Sequence, residues 1–154
     1  MDSTNKKILI LGIGNVILGD EGVGVHAIKY LEKQQLPGFV DLLDGGTGGF
    51  YLLSVLETYK TIIMIDATLD DSPAGTINLI EPEFASDFPK ALSSHEIGLK
   101  DLIESAAMLG HLPKIYLITV SVKEIQDISM ELSTEIKHIL PEIHLLILEI
   151  LKRI

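Results

Sequence analysis

The 154-residue chain has no cysteine. That absence excludes disulfides, zinc–thiolate centres, iron–sulfur clusters and a cysteine nucleophile together. It also fits a reducing compartment, so a cytoplasmic location is expected. Basic residues are scarce: 12 Lys and Arg stand against 22 Asp and Glu, a formal net charge of −10. Phosphate binding needs clustered cations, and no basic face with interleaved aromatics appears, so a nucleic-acid partner is not expected. Long apolar runs are missing too. The run that opens at Ile8 is broken by Gly12, Gly14 and Asn15, and the stretch from Leu145 to Ile154 is short and carries Glu149, Lys152 and Arg153. Neither a signal peptide nor a membrane span is expected. No Gly-x-Ser-x-Gly elbow offers a serine nucleophile.

What is present describes one globular domain over residues 1–154. The length suits a single core, and 47% hydrophobic residues are enough to fill it without staples. A monomer is expected. Ile8-Leu9-Ile10-Leu11 is a continuous apolar run, the pattern of a strand buried on both faces. Val23 to Leu36 reads as a helix with Val23, Ala27, Tyr30 and Leu31 on one face, ended by Pro37-Gly38. Phe39 to Leu43 is a second strand, stopped by Asp44-Gly45-Gly46. Gly49 to Tyr59 is a second helix, and Thr61 to Ile65 a third strand ending at Asp66. Thr76 to Ile80 is a short strand, and residues 82–92 read as a loop. Leu99, Leu102, Ile103, Ala106 and Ala107 form one helical stripe. Lys114 to Val122 is the last strand. Ser133 to Arg153 is helical, with Pro141 kinking it or starting its second half. The expected class is α/β: a three-layer fold with a twisted, mostly parallel five-stranded sheet and helices on both faces.

Ligands of such sheets bind beyond the carboxyl ends of the strands. Three polar segments fall there: Gly12 to Gly24, Asp44 to Gly49, and Asp66. A nucleotide reading would use Gly12, Gly14 and Asp44. Against it, Ile17 stands where a third glycine belongs, and Asp20-Glu21 would repel a pyrophosphate at the helix start. The same acids suit a cation. In the structural alternative Asp20 caps the helix and Glu21 complements its dipole. Asp66 is either a turn residue or a ligand at the sheet's active edge. Asp44 reads as the opener of a Gly-rich turn. His95 follows Ser93-Ser94, and Ser93 with Glu96 has capping-box spacing, which places His95 in the first turn of the next helix. His26, His111, His138 and His144 read as structural or solvated. Glu21, Asp66 and His95 together would supply two oxygens and one imidazole nitrogen, a set suited to nickel or zinc with open positions.

These residues carry a resemblance. The string from Ile10 to Gly24, Ile-Leu-Gly-Ile-Gly-Asn-Val-Ile-Leu-Gly-Asp-Glu-Gly-Val-Gly, resembles the opening of the hydrogenase maturation protease family. Asp44-Gly45-Gly46-Thr47, the strand-ending Asp66, and Ser94-His95 ahead of Gly98-Leu99 follow in family order. The resemblance implies an endopeptidase that removes the C-terminal peptide from the large-subunit precursor of a nickel–iron hydrogenase after nickel insertion. It implies that Glu21, Asp66 and His95 are the metal-contacting, catalytic positions. It also implies that the nickel is carried by the substrate, with zinc or another divalent ion possible in vitro, and that Gly45, Gly46 and Thr47 line the peptide groove. One stretch departs from the family pattern: Thr119 to Met130 contains neither glycine nor proline. A metal-delivery or docking module with no catalysis is the remaining reading.

Overall fold

The computed structural model describes residues 7–49, 51–88, 99–110, 112–123 and 128–154. Ile8–Gly12 forms β1, and all five of its residues are buried, as a strand covered on both faces must be. A 3-10 turn at Gly19–Gly22 leads into α1, Val23–Glu32. Then come β2 (Val40–Asp44), α2 (Leu52–Thr58), β3 (Thr61–Thr68) and β4 (Ile77–Ile80). They are followed by a 3-10 turn (Ala85–Asp87), α3 (Leu99–Met108), β5 (Lys114–Ser121), α4 (Thr134–Lys137) and α5 (Leu140–Arg153). The five strands make one sheet in the order β2-β1-β3-β5-β4, parallel throughout except for the antiparallel edge strand β4.

Strand alternation divides the core into two layers. Ile8 and Ile10 of β1, with Ile63, Ile65 and Ala67 of β3, pack against α1, α4 and α5. Leu9, Leu11, Ile62, Met64, Ile115 and Leu117 face α2 and α3. The three-layer α/β fold expected above is therefore the fold observed. Among the described residues, no helix is long and apolar enough to cross a membrane.

Element ends moved for identifiable reasons. Helix α1 ends at Glu32, not Leu36. Lys33 and Gln34 donate to the carbonyls of Tyr30 and Leu31, three residues back, so the last turn tightens before Pro37, whose predecessor disfavours helical backbone. Strand β3 continues two residues past Asp66, because Ala67 and Thr68 find partners in Val120 and Ser121 of β5. Ala107 is exposed rather than part of the α3 stripe. Eight residues after Leu99 it has rotated roughly 80° away from that residue, to the rim of the buried face. Pro141 starts a second helix: α4 is capped by Ser133, and α5 begins at Leu140 with the proline in its first turn.

The tightest packing joins β1 to α1. A Cβ on Gly12 would collide with the Gly24 carbonyl oxygen and lie 2.6 Å from Ile28 Cγ1. A Cβ on Gly24 would collide with the carbonyl oxygens of both Ile13 and Ile65. Backbone therefore lies on backbone where the helix starts, and no flexible side chain can yield. Gly24→Ala is expected to cost about 3 kcal/mol, the upper part of the overpacking range, and to lower Tm by roughly 10 °C. Thermal and urea unfolding check this. A near-neutral result would show that the helix can lift off the sheet at little cost.

Candidate functional site

The sheet order reverses between β1 and β3, since the chain runs outward to β2 on one side and to β5 on the other. The carboxyl ends of these two strands form the crevice where such folds bind ligands. The loop after β1 is closed over it by backbone bonds. Ile13 N–H donates to the Ile65 carbonyl at 2.9 Å, Gly14 N–H to Gly46 at 2.7 Å, and Gly45 N–H to Gly12 at 2.8 Å. The 3-10 turn that follows packs on β3. Glu21 in this turn and Asp66 near the end of β3 thus come from separate elements to the same edge of the sheet.

Glu21 is 2% exposed, and neither carboxylate oxygen has a hydrogen-bond partner among the described residues. Burial raises its pKa above the ordinary carboxylate value, because desolvation penalises the charged form. A buried carboxylate with no partner is costly and calls for a cation or donor. A divalent ion at the edge would fit that need. Asp66 is partly buried, and its Oδ1 accepts from the Ala67 N–H at 2.8 Å. His95 lies outside the described residues. Among those residues, no three His, Asp or Glu side chains gather closely enough to hold a metal. The two acids would hold an ion only with a further donor, from His95 or from a ligand's own coordination sphere.

Asp20 does not cap α1. Its carboxylate is 4% exposed and Oδ1 accepts from the Ser133 N–H at 2.7 Å, while no side chain caps the 3-10 turn or α1. Asp44 does open the Gly-rich turn, since its Oδ1 accepts from the Gly46 N–H at 2.8 Å. The nucleotide reading loses its chemistry here. The amides of Gly14, Gly45 and Gly46 that would cradle a phosphate are already donating within the fold, and Gly12 and Gly24 serve close packing. Gly45 is buried under the Tyr51 hydroxyl, which donates to its carbonyl at 2.9 Å, whereas Gly46 is half-buried and Thr47 exposed.

Residue alternation places Asp66, its β5 partner Thr119 and the β4 residue Asn78 in one row across the α2–α3 face of the sheet. Thr119 and Ser121 are almost fully buried. A cavity of about 340 Å³ opens on this row, lined among others by Thr68, Asn78, Asp87, Phe88 and Thr119. These residues were missed from the sequence. Two hydroxyls at alternate positions of an otherwise apolar strand were the available signal. His26 faces elsewhere, into a smaller cavity of about 170 Å³ shared with residues 130–132, Lys137 and Leu140. Its Nε2 is buried rather than solvated, and its pKa is lowered first by that burial and then by Lys29, with Asp20 opposing. His144 is half-buried with its ring edge-on to Tyr30, and His138 is exposed.

Comparison with known proteins gives the class. The profile of the hydrogenase maturation protease family matches residues 25–150. The "Hydrogenase expression/formation protein HupD" of Thiocapsa roseopersicina is 36% identical over 138 residues, covering 87% of this chain and 62% of that protein. The "Hydrogenase 2 maturation protease" of Escherichia coli K12 is 35% identical, covering 70% of this chain and 68% of that one. The solved structure of the hydrogenase maturating endopeptidase HybD from E. coli superposes with a TM-score of 0.84 at 30% identity, covering 96% of this chain and 93% of that one. The chain belongs to the hydrogenase maturation protease family. Its match spans about 60% of the length of the HupD proteins.

The burial of Glu21 has a consequence for pH. Its folded-state pKa is raised, so between the unfolded value near 4.5 and the raised folded value the native state binds more protons than the unfolded state. Stability therefore falls as pH rises through that window, and the penalty is complete above it. Glu21→Gln removes the charge and is expected to raise Tm at neutral pH and to leave little difference below pH 4.5. Paired thermal melts across pH measure this. Equal Tm differences at low and neutral pH would mean that Glu21 is hydrated in the native state.

Proposed function

We propose that this protein is a processing endopeptidase that removes the C-terminal extension of a nickel–iron hydrogenase large-subunit precursor after nickel has been inserted. The observation that carries the proposal is Glu21, a buried carboxylate with both oxygens unpartnered, set at the same sheet edge as Asp66 in a chain of this family. Nickel enters as part of the substrate. Glu21, Asp66 and His95 contact it and so select a precursor that is already loaded. The segment Gly45, Gly46 and Thr47 borders the extended peptide, and the row from Asp66 through Thr119 to Asn78 continues that border on the other side.

The chain has neither a cysteine nor a serine elbow for covalent attack. Water is therefore the nucleophile: its oxygen bonds to the scissile carbonyl carbon, the C–N bond breaks, and a water proton ends on the released amine. The lack of cysteine supports a reducing, cytoplasmic setting for the reaction.

Purified precursor with and without nickel, incubated with the protein, tests the reading. Cleavage is expected only for the loaded form, read by mass spectrometry as release of the C-terminal peptide. Efficient cleavage of a folded, nickel-free precursor would overturn nickel recognition, and no cleavage of any loaded precursor would overturn the function. A second measurement addresses Asp66. Asp66→Asn is nearly isosteric and keeps an oxygen for the Ala67 N–H, but it is a poorer metal ligand. It is expected to lower kcat/KM at least about 100-fold with Tm little changed. A folded variant with normal turnover would make Asp66 a structural residue.

A further inference from the structure

The turn that carries Glu21 is fastened from a distant part of the chain. Ser129 N–H donates to the Ile17 carbonyl at 2.8 Å, Gly19 N–H donates to the Ser129 carbonyl at 2.7 Å, and Leu18 and Ser129 form an isolated parallel bridge. The third bond is the Ser133 N–H to Asp20 Oδ1 at 2.7 Å, between residues 113 apart. It is the only side-chain bond of the set, and its carboxylate is 4% exposed. Charge-assisted bonds of this kind are short and strong. Glu21 is the next residue, and its own N–H donates to the Leu18 carbonyl at 3.2 Å. In a 3-10 turn, consecutive side chains diverge by about 120°, so adjacent acids can serve different partners.

We infer that Asp20 is a positioning residue: by holding the Ser133 N–H it fixes the turn that presents Glu21 at the edge of the sheet. The inference rests on the proposed function for its catalytic consequence, but the tether itself is a structural statement with its own readout. Removing the carboxylate leaves the backbone bonds to Ser129 and frees the far end of the turn. The Glu21 carboxylate, which has no partner to hold it among the described residues, then moves away from the position that meets the substrate.

The test compares Asp20→Ala with Asp20→Asn, which keeps an acceptor oxygen at the same reach. Ser133→Pro attacks the other end. The Ser133 φ of −62° already suits proline, so the change deletes the N–H without strain in φ, and the ring Cδ that replaces the hydrogen displaces the Asp20 carboxylate. Ser133→Ala is its control, because it loses only the hydroxyl that caps α4 and keeps the N–H. Asp20→Ala is expected to lower kcat on a nickel-loaded precursor by on the order of 100-fold, the scale of an ångström-sized misplacement, with KM within about threefold. Asp20→Asn is expected to recover most of that loss. Ser133→Pro is expected to resemble Asp20→Ala, and the double variant to be no worse than either alone.

Hydrogen exchange provides the readout that does not depend on proteolysis. In Asp20→Ala, the amides of residues 17–22 are expected to exchange faster, while those of β1, β3 and β5 stay protected. If the wild-type protein cleaves nothing, the proposed function fails and the exchange data alone decide the tether. Unchanged exchange over residues 17–22 would overturn it, as would a folded Asp20→Ala enzyme with normal kcat. Equal losses in Asp20→Ala and Asp20→Asn that track a fall in Tm would show a purely structural role.

Discussion

Everything at the functional edge depends on how closely α1 approaches the ends of β1 and β3. Gly12 and Gly24 let the first turn of the helix rest on the strand backbones, with no side chain between them. That contact sets the height of the loop from Ile13 to Gly22 above the sheet. The loop in turn has little regular structure, so its geometry comes from where its ends are pinned. The Ile13–Ile65 and Gly14–Gly46 bonds pin the entry, and α1 pins the exit. In many open sheets a glycine-rich turn of this kind frees backbone amides for phosphate. Here the glycines are used for packing and the amides for internal bonds, so the edge is left to carboxylates.

The central electrostatic fact is that a carboxylate is held buried without a donor among the described residues. Folding alone gives no reason to bury Glu21, since desolvation opposes its charge and no described hydrogen bond offsets it. Asp20, one residue earlier, shows how the same fold treats a structural carboxylate: it is equally buried and takes a short bond from a backbone N–H. The contrast between these neighbours separates an acid satisfied within the fold from one that, on the proposed function, meets its partner in the substrate. On that reading it is a local instance of stability given up at a site for function.

Much of this was legible in the sequence because strands buried on both faces write themselves as unbroken apolar runs. Ile8 to Leu11 and Thr61 to Ile65 needed no tertiary information, and the alternation of strand and helix gave the layers. Glu21 and Asp66 could be placed at one edge by topology alone. What could not be read depended on partners far away in the chain. The last two residues of β3 are strand because β5 is there to pair with them. Asp20 looked like a helix cap because a cap is the commonest local use for Asp before a helix, and nothing near it in sequence points to Ser133. Thr119 and Asn78 join Asp66 only through register across three strands. His95 lies outside the described residues, so its place at the edge rests on the family pattern.

The distribution of these long-range contacts bears on how the site can behave. The core layers are built from large apolar side chains that are almost fully buried, whereas the loop bearing Glu21 is held by a few polar bonds to residues 46, 65, 129 and 133. Hydrogen bonds each contribute on the order of 1 kcal/mol net, far less than the summed apolar burial beneath them. Local opening of the turn at residues 17–22 is therefore less costly than unfolding the sheet and its helices. Such an opening hydrates Glu21, which offsets part of its own cost. A substrate that supplies a cation to Glu21 removes the same penalty with the loop closed. On the proposed function, closure and cation binding would be linked through this one carboxylate, and a ligand lacking the charge would gain nothing from that linkage.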